Sequence, residues 1–174
     1  VGGSLGTRSL NEMMKAWIVE TGGEAPVQVI WQTGKYYERE MQAFLAAHPA
    51  GHVWQGAFID RMDYAYAAAD LIISRAGASS ISELCLLKKP VILVPSPNVA
   101  ENHQYHNAMV LANHKAAVVI EEKDLTGEKL VSTVSDMLAQ PGKLAEMGRN
   151  ARSLSVDDSL DRIADALLKL VKTP

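Results

Sequence analysis

Apolar residues fall at helical spacing over residues 7–20, where Leu10, Met13, Met14, Trp17 and Ile18 occupy i, i+3, i+4, i+7 and i+8 and make one face. Ser9-Leu-Asn-Glu12 has the capping-box pattern at the start of this helix, and Gly22-Gly23 marks its end. The pattern then changes. Residues 27–33 are β-branched and aromatic between Pro26 and Gly34 and predict a strand. Tyr37, Met41, Phe44 and Leu45 predict a second helix, stopped before Pro49. A short strand at 52–54 and a short helix at 62–68 follow, then the nearly continuous apolar run Leu71-Ile-Ile-Ser74, expected of a parallel strand covered on both faces. Further on, the expected elements are a helix at 80–87, a strand at 91–94, a helix at 102–113 and a strand at 117–120. Three helices close the chain, at 126–139, 143–153 and 159–172.

Strand and helix alternate five or six times with short connections, which predicts an α/β domain over residues 1–174: a Rossmann-like, doubly wound parallel sheet with helices on both faces. Ligands of such sheets sit at the carboxyl ends of the strands. The loops at 2–7, 55–60, 75–80 and 95–104 are therefore where chemistry is expected.

Composition narrows the partners. The chain has 174 residues, 48% of them hydrophobic and 21% charged, enough for a core without cross-links. The net charge is −3, with 6 basic against 9 acidic residues in the first half and 11 against 11 in the second, so no nucleic-acid footprint is expected. The lone Cys85 rules out an internal disulfide and fits a reducing, cytoplasmic setting. No apolar run approaches the roughly 18–20 residues of a membrane span, and no signal peptide is visible. The opening Val1-Gly2-Gly3-Ser4 reads as a glycine turn without the strand that leads into it, so the expectation is a trimmed chain or a piece of a longer one.

Gly2-Gly3-Ser4-Leu5-Gly6 precedes a helix, and glycines let a backbone approach an anion at a helix N-terminus, where N–H groups are free. The loop suits a phosphate or sugar-phosphate, or it is a plain tight turn. Its spacing is neither the dinucleotide fingerprint nor a Walker loop. Arg75-Ala-Gly-Ala-Ser-Ser-Ile-Ser-Glu83 leaves a strand and enters a helix with Ser79, Ser80 and Ser82 at its start, where backbone N–H groups and hydroxyls could hold a diphosphate. Glu83 could accept hydrogen bonds from the two hydroxyls of a ribose, or it could close a capping box with Ser80. In the loop Pro95–Gln104 and the helix after it, Gln104 and Asn107 could bind sugar hydroxyls, while His103 and His106 are candidate acid–base groups or solvated bystanders. No cluster has metal-ligand spacing, and no cofactor is expected. Cys85 lies in an apolar segment and reads as core.

In order along the chain, Gly2-Gly3-Ser4-x-Gly6, Phe58-Ile59-Asp60-x-Met62, Ala69-Asp70, Arg75-Ala-Gly77-Ala78, Ser82-Glu83, Pro90, Val94-Pro95 and Gln104-Tyr105-x-Asn107-Ala108 resemble the carboxy-terminal half of the MurG-type glycosyltransferases. The resemblance covers about the first 110 residues in register, and the helical tail fits it. It implies one half of a two-domain GT-B fold, binding UDP-GlcNAc for transfer to the lipid-linked MurNAc-pentapeptide of peptidoglycan synthesis. It also implies an inverting, metal-independent reaction by an enzyme peripheral to the cytoplasmic face of the bacterial inner membrane. By position, Ile59 would meet uracil through its backbone with Phe58 beside it. Gly3 and Ser4 would lie near the phosphates. Arg75, Gly77, Ala78, Ser79, Ser80, Ile81 and Ser82 would surround diphosphate and sugar. Glu83 would bind the ribose, and Gln104, with Asn107 close by, would read the GlcNAc hydroxyls. The general base and the acceptor site would belong to an amino-terminal domain, so this chain alone would bind donor weakly and transfer nothing. Leu5, Thr7, Ser79-Ser80 and Asn102-His103 depart from the common family residues, and the change at 79 bears on sugar choice. The other readings of the residues are another GT-B transferase of a UDP-sugar, with a lipid or dolichol-linked acceptor, and a non-catalytic nucleotide-binding module.

Overall fold

A computed structural model describes residues 1–2 and 6–171. The expected alternation is present. Helix α1 (Arg8–Glu20) leads to strand β1 (Val29–Gln32), α2 (Glu38–Ala47), β2 (Val53–Gly56), α3 (Met62–Ala68), β3 (Ile72–Ser74), α4 (Ala78–Leu86) and β4 (Val91–Leu93). The chain continues with α5 (His103–Asn113), β5 (Val118–Val119), α6 (Gly127–Leu138), α7 (Pro141–Ser153) and α8 (Ser159–Val171). Every recorded strand pair is parallel: β1 with β2, and β3–β4–β5 with β4 in the middle.

The burial of β4 explains the two-sided architecture. Val91 and Leu93 face one core with Leu84, Cys85, Ala108 and Leu111, while Ile92 and Val94 face the other with Met13, Met14, Trp17 and Leu130. Side chains of a strand alternate between faces, so a strand apolar at every position must be covered on both. Helices α4, α5 and α7 supply one cover and α1 and α6 the other. Cys85 is buried in the first of these cores, as its apolar neighbours indicated.

The strands are hydrogen-bonded in two groups, and an apolar slot of about 720 Å3 lies between β1 and β3, lined among others by Val29, Trp31, Leu71, Ile73, Met14 and Leu130. At one side of this slot the Val1 amine donates to the Ile73 carbonyl at 2.6 Å, the kind of bond a neighbouring strand would make.

Several local expectations are corrected. The Ser9–Glu12 capping box does not form: the residue preceding α1 is Thr7, the Ser9 hydroxyl donates to Glu122, and Glu12 pairs with Lys15. Helix α4 begins at Ala78, two residues before the expected start, with Gly77 at its N-cap. Ser80 is therefore inside the helix and cannot box with Glu83. Helix α8 presents Leu160, Ile163, Leu167 and Leu170 to solvent.

Candidate functional site

The segment leading into α1, the loop after β3, the loop after β4 and the turn after β5 meet at one polar cavity of about 710 Å3, whereas the expected 55–60 loop does not line it. Gly2, Gly6, Arg8, Ser9, Arg75, Gly77, Ser80, Ser96, Gln104 and Glu122 are among its lining residues. Helices α1 and α4 both open onto it, and among the described residues neither end has a side-chain cap. The first N–H groups of a helix have no partner inside the helix, and they carry its positive end. Two such ends on one cavity make an anion site from backbone alone.

Local packing fixes the first of these ends. Gly6 has φ +81°, and a Cβ there would stand 2.1 Å from the Thr33 carbonyl oxygen, so only glycine lets the turn lie against the end of β1. The same Thr33 carbonyl accepts from the buried Asn11 amide at 2.9 Å, and Asn11 in turn accepts from the Trp31 indole at 3.0 Å. One turn of α1 is thereby tied to β1 through satisfied buried polar groups.

Arg75 ties the second end to the first. Its guanidinium donates to Glu122 at 2.5 Å, to the Ser9 hydroxyl at 2.6 Å and to the Val94 carbonyl at 3.0 Å, and Ser9 donates to the same Glu122 oxygen at 2.9 Å. The Arg75 and Glu122 side chains are only 13% and 27% exposed, so this is a sheltered pair, little screened by solvent. Three of the five N–H groups of Arg75 are engaged with the protein, which makes it a clamp between α1, β4 and the turn after β5.

The other candidate residues separate by role. Gly77, Ser80 and Gln104 share the cavity with Arg75. Gln104 accepts from the Ser96 backbone N–H at 3.0 Å through Oε1, which fixes which amide atom faces outward. Ala78 and Ser79 are exposed at the start of α4, and Ile81 packs on the core below them. Ser82 donates to the Ala78 carbonyl of its own helix, and Asn107 donates to the Ala76 carbonyl at 3.2 Å, bracing the loop before α4. Ile59 is buried at 8% exposure beside the apolar slot, whereas Phe58 next to it is 47% exposed. Gly3 and Ser4 lie outside the described residues.

Glu83, exposed on α4, accepts at 3.1 Å from the Tyr66 hydroxyl on α3. Burial first, and then the neighbouring Glu83 charge and hydrogen bond, push the Tyr66 phenol up to about 12, so it remains a donor through the neutral range. His103 places Nδ1 2.9 Å from the Ala100 carbonyl, spending that nitrogen on its own turn. The backbone just before α5 is unusual: Glu101 and Asn102 both have φ +51°. Sequence reasoning passed over Tyr66, Glu122 and the bridging role of Ser9. Among the described residues, no group of three or more His, Cys, Asp or Glu side chains is placed to hold a metal ion, and no helix is long and apolar enough to cross a membrane.

Comparison with known proteins covers nearly the whole chain. Residues 1–163 match the family model described as the glycosyltransferase family 28 C-terminal domain. A curated relative from Parabacteroides distasonis is 50% identical over 171 residues, 98% of this chain and 46% of its own. Another from Porphyromonas gingivalis is 45% identical over 172 residues, 99% of this chain and 45% of its own. Both are named UDP-N-acetylglucosamine–N-acetylmuramyl-(pentapeptide) pyrophosphoryl-undecaprenol N-acetylglucosamine transferase. The crystal structure of MurG from Acinetobacter baumannii superposes with a TM-score of 0.84 at 32% identity, over 97% of this chain and 48% of that one. A glycotransferase of kitacinnamycin, 17% identical with a TM-score of 0.59, shares the fold. The chain thus spans about half the length of the curated relatives it matches.

Proposed function

The chain belongs to the glycosyltransferase family 28 C-terminal domain family, and from that premise we propose that it is the donor-binding half of an inverting glycosyltransferase. The donor is UDP-GlcNAc, and the acceptor is the lipid-linked MurNAc-pentapeptide, which becomes the disaccharide precursor of peptidoglycan. The names of its relatives support the substrate pair. The observation that carries the reading is the pair of uncapped helix N-termini, of α1 and α4, opening on one polar cavity.

In this reading the donor diphosphate lies across the two helix ends. The acceptor 4-hydroxyl attacks the anomeric carbon from the opposite side, and the bond from that carbon to the diphosphate oxygen breaks. Its electron pair leaves on UDP, where the N–H groups of α1 and α4 and the Ser80 hydroxyl meet the growing charge. Arg75 and Glu122 hold those ends in register. Ile59, with Phe58, takes the uracil, Glu83 takes the ribose hydroxyls, and Gln104 reads the sugar. The proton of the acceptor hydroxyl goes to a base outside this chain, in the half of the enzyme that also binds the lipid at the cytoplasmic face of the membrane. No cofactor takes part, and charge on the leaving group is met by backbone rather than by a metal ion.

Calorimetry tests this directly. The chain is expected to bind UDP and UDP-GlcNAc, with UDP-glucose and UDP-GalNAc weaker, and EDTA is expected to leave these affinities unchanged. Glu83→Ala is expected to weaken UDP binding by about tenfold or more, the cost of two lost charge-assisted hydrogen bonds. Absence of heat with every UDP-sugar rejects the donor-domain reading, and a large loss in EDTA rejects its metal-free account.

A further inference from the structure

We propose that Tyr66 is a positioning residue that makes the site selective for a ribonucleotide, by holding the Glu83 carboxylate in the orientation that accepts two vicinal hydroxyls. The proposal rests on the reading of Glu83 as the ribose ligand and adds to it the group that makes that ligand rigid.

Glu83 by itself is a poor reader of a diol. It is exposed on the surface of α4, and an exposed glutamate spreads over several rotamers that binding must then freeze out. Tyr66 is the opposite kind of side chain. It has two side-chain torsions, is 9% exposed, and belongs to the core cluster formed with Ile72, Leu84 and Cys85. Its hydroxyl therefore sits at a fixed point, from which it donates to Glu83 Oε2 at 3.1 Å. Leu84 and Cys85, the two residues that follow Glu83 in α4, are in the same cluster, so the two partners share one rigid base.

The stoichiometry of the carboxylate fits. An ionised carboxylate offers about four lone-pair directions. Tyr66 takes one on Oε2, which leaves Oε1 whole and a second direction on Oε2. Two neighbouring hydroxyl donors can then be received by two different oxygens. Tyr66 acts on the ligand only through Glu83, so its removal should cost discrimination between sugars rather than the whole of binding. A hydroxyl that merely stapled α3 to α4 would leave discrimination untouched.

The test uses the chain as it stands and compares UDP with 2′-deoxy-UDP by calorimetry for the wild type, Tyr66→Phe, Glu83→Gln and the double variant, with melting temperatures alongside. Tyr66→Phe removes one oxygen and keeps the ring in the core. The wild type is expected to prefer UDP by about tenfold or more, because a site built to bond a hydroxyl is penalised when it is missing. Tyr66→Phe is expected to lose about fivefold for UDP and to stay within about twofold for the deoxy nucleotide, so that the preference collapses. In the Glu83→Gln background the same substitution should change little, the non-additive signature of a coupled pair. A Tyr66→Phe variant that keeps the wild-type preference overturns the proposal while leaving Glu83 as ligand. A wild type without ribose preference, or a Glu83→Gln variant that retains it, overturns the Glu83 reading and this proposal with it.

Discussion

Arg75 and Glu122 show how a charged residue's task depends on partners far away in sequence. Arg75 stands in a glycine-containing loop at a strand end, a place where an arginine is readily taken for a phosphate ligand. Its guanidinium instead holds Glu122, 47 residues on, and Ser9, 66 residues back. The place of Arg75 in a strand-end loop was legible, because the strand–loop–helix pattern puts it there. Glu122 was not, because it follows a two-residue strand in a charged stretch, Glu121–Asp124, that looks like any solvated turn. Ser9 was misread for a related reason: a Ser with Glu three residues later fits a capping box locally, and only the fold supplies the stronger partners. Removing the Glu122 carboxylate would leave a sheltered guanidinium with one acceptor fewer and unfix Ser9. Glu122→Ala is therefore expected to lower unfolding free energy by about 2 kcal/mol, discounted from the cost of a fully buried pair because both side chains keep some solvent. Glu122→Gln, which keeps an acceptor for Arg75 and Ser9, should lose less than half as much. Urea denaturation measures both, and equal losses would contradict the hydrogen-bonding account.

The helices and strands themselves were largely readable, and their boundaries fell within a few residues of those expected, because periodicity and punctuation agree along most of the chain. What periodicity leaves out is why a particular small residue occupies a helix. Helix α7 contains two glycines that look alike in sequence. A Cβ on Gly148 would meet the Lys88 carbonyl oxygen at 2.3 Å, whereas a Cβ on Gly142 would meet nothing within 4 Å. Lys88 cannot retreat easily, since it turns the chain after α4 with φ +57° and leads directly into Pro90 and the fully buried β4. The close approach at Gly148 is how α7 reaches α4 and covers one face of the sheet. Gly148→Ala is expected to destabilise the chain by about 1–3 kcal/mol through overpacking. Gly142→Ala should be neutral or stabilise it by up to about 1 kcal/mol by improving helix propensity. Melting curves of the two single variants decide it; equal effects would mean that the approach of α7 to Lys88 is not the constraint.

At the scale of the whole molecule, the two strand groups are joined by the core they share with α1 and α6: Trp31 of β1 and Ile92 of β4 pack in one cluster with Met13, Met14, Trp17 and Leu130. The helix whose apolar face fills that core also carries, at its N-terminus, the Thr7–Ser9 wall of the polar cavity. Core and candidate site are therefore built on one element, and the same burial that fixes α1 against β1 and β4 fixes where its free N–H groups point. This is why the apolar period of residues 10–18 was enough to place one wall of the cavity from sequence, whereas the opposite wall at Glu122, which no periodicity marks, needed the fold to bring it across.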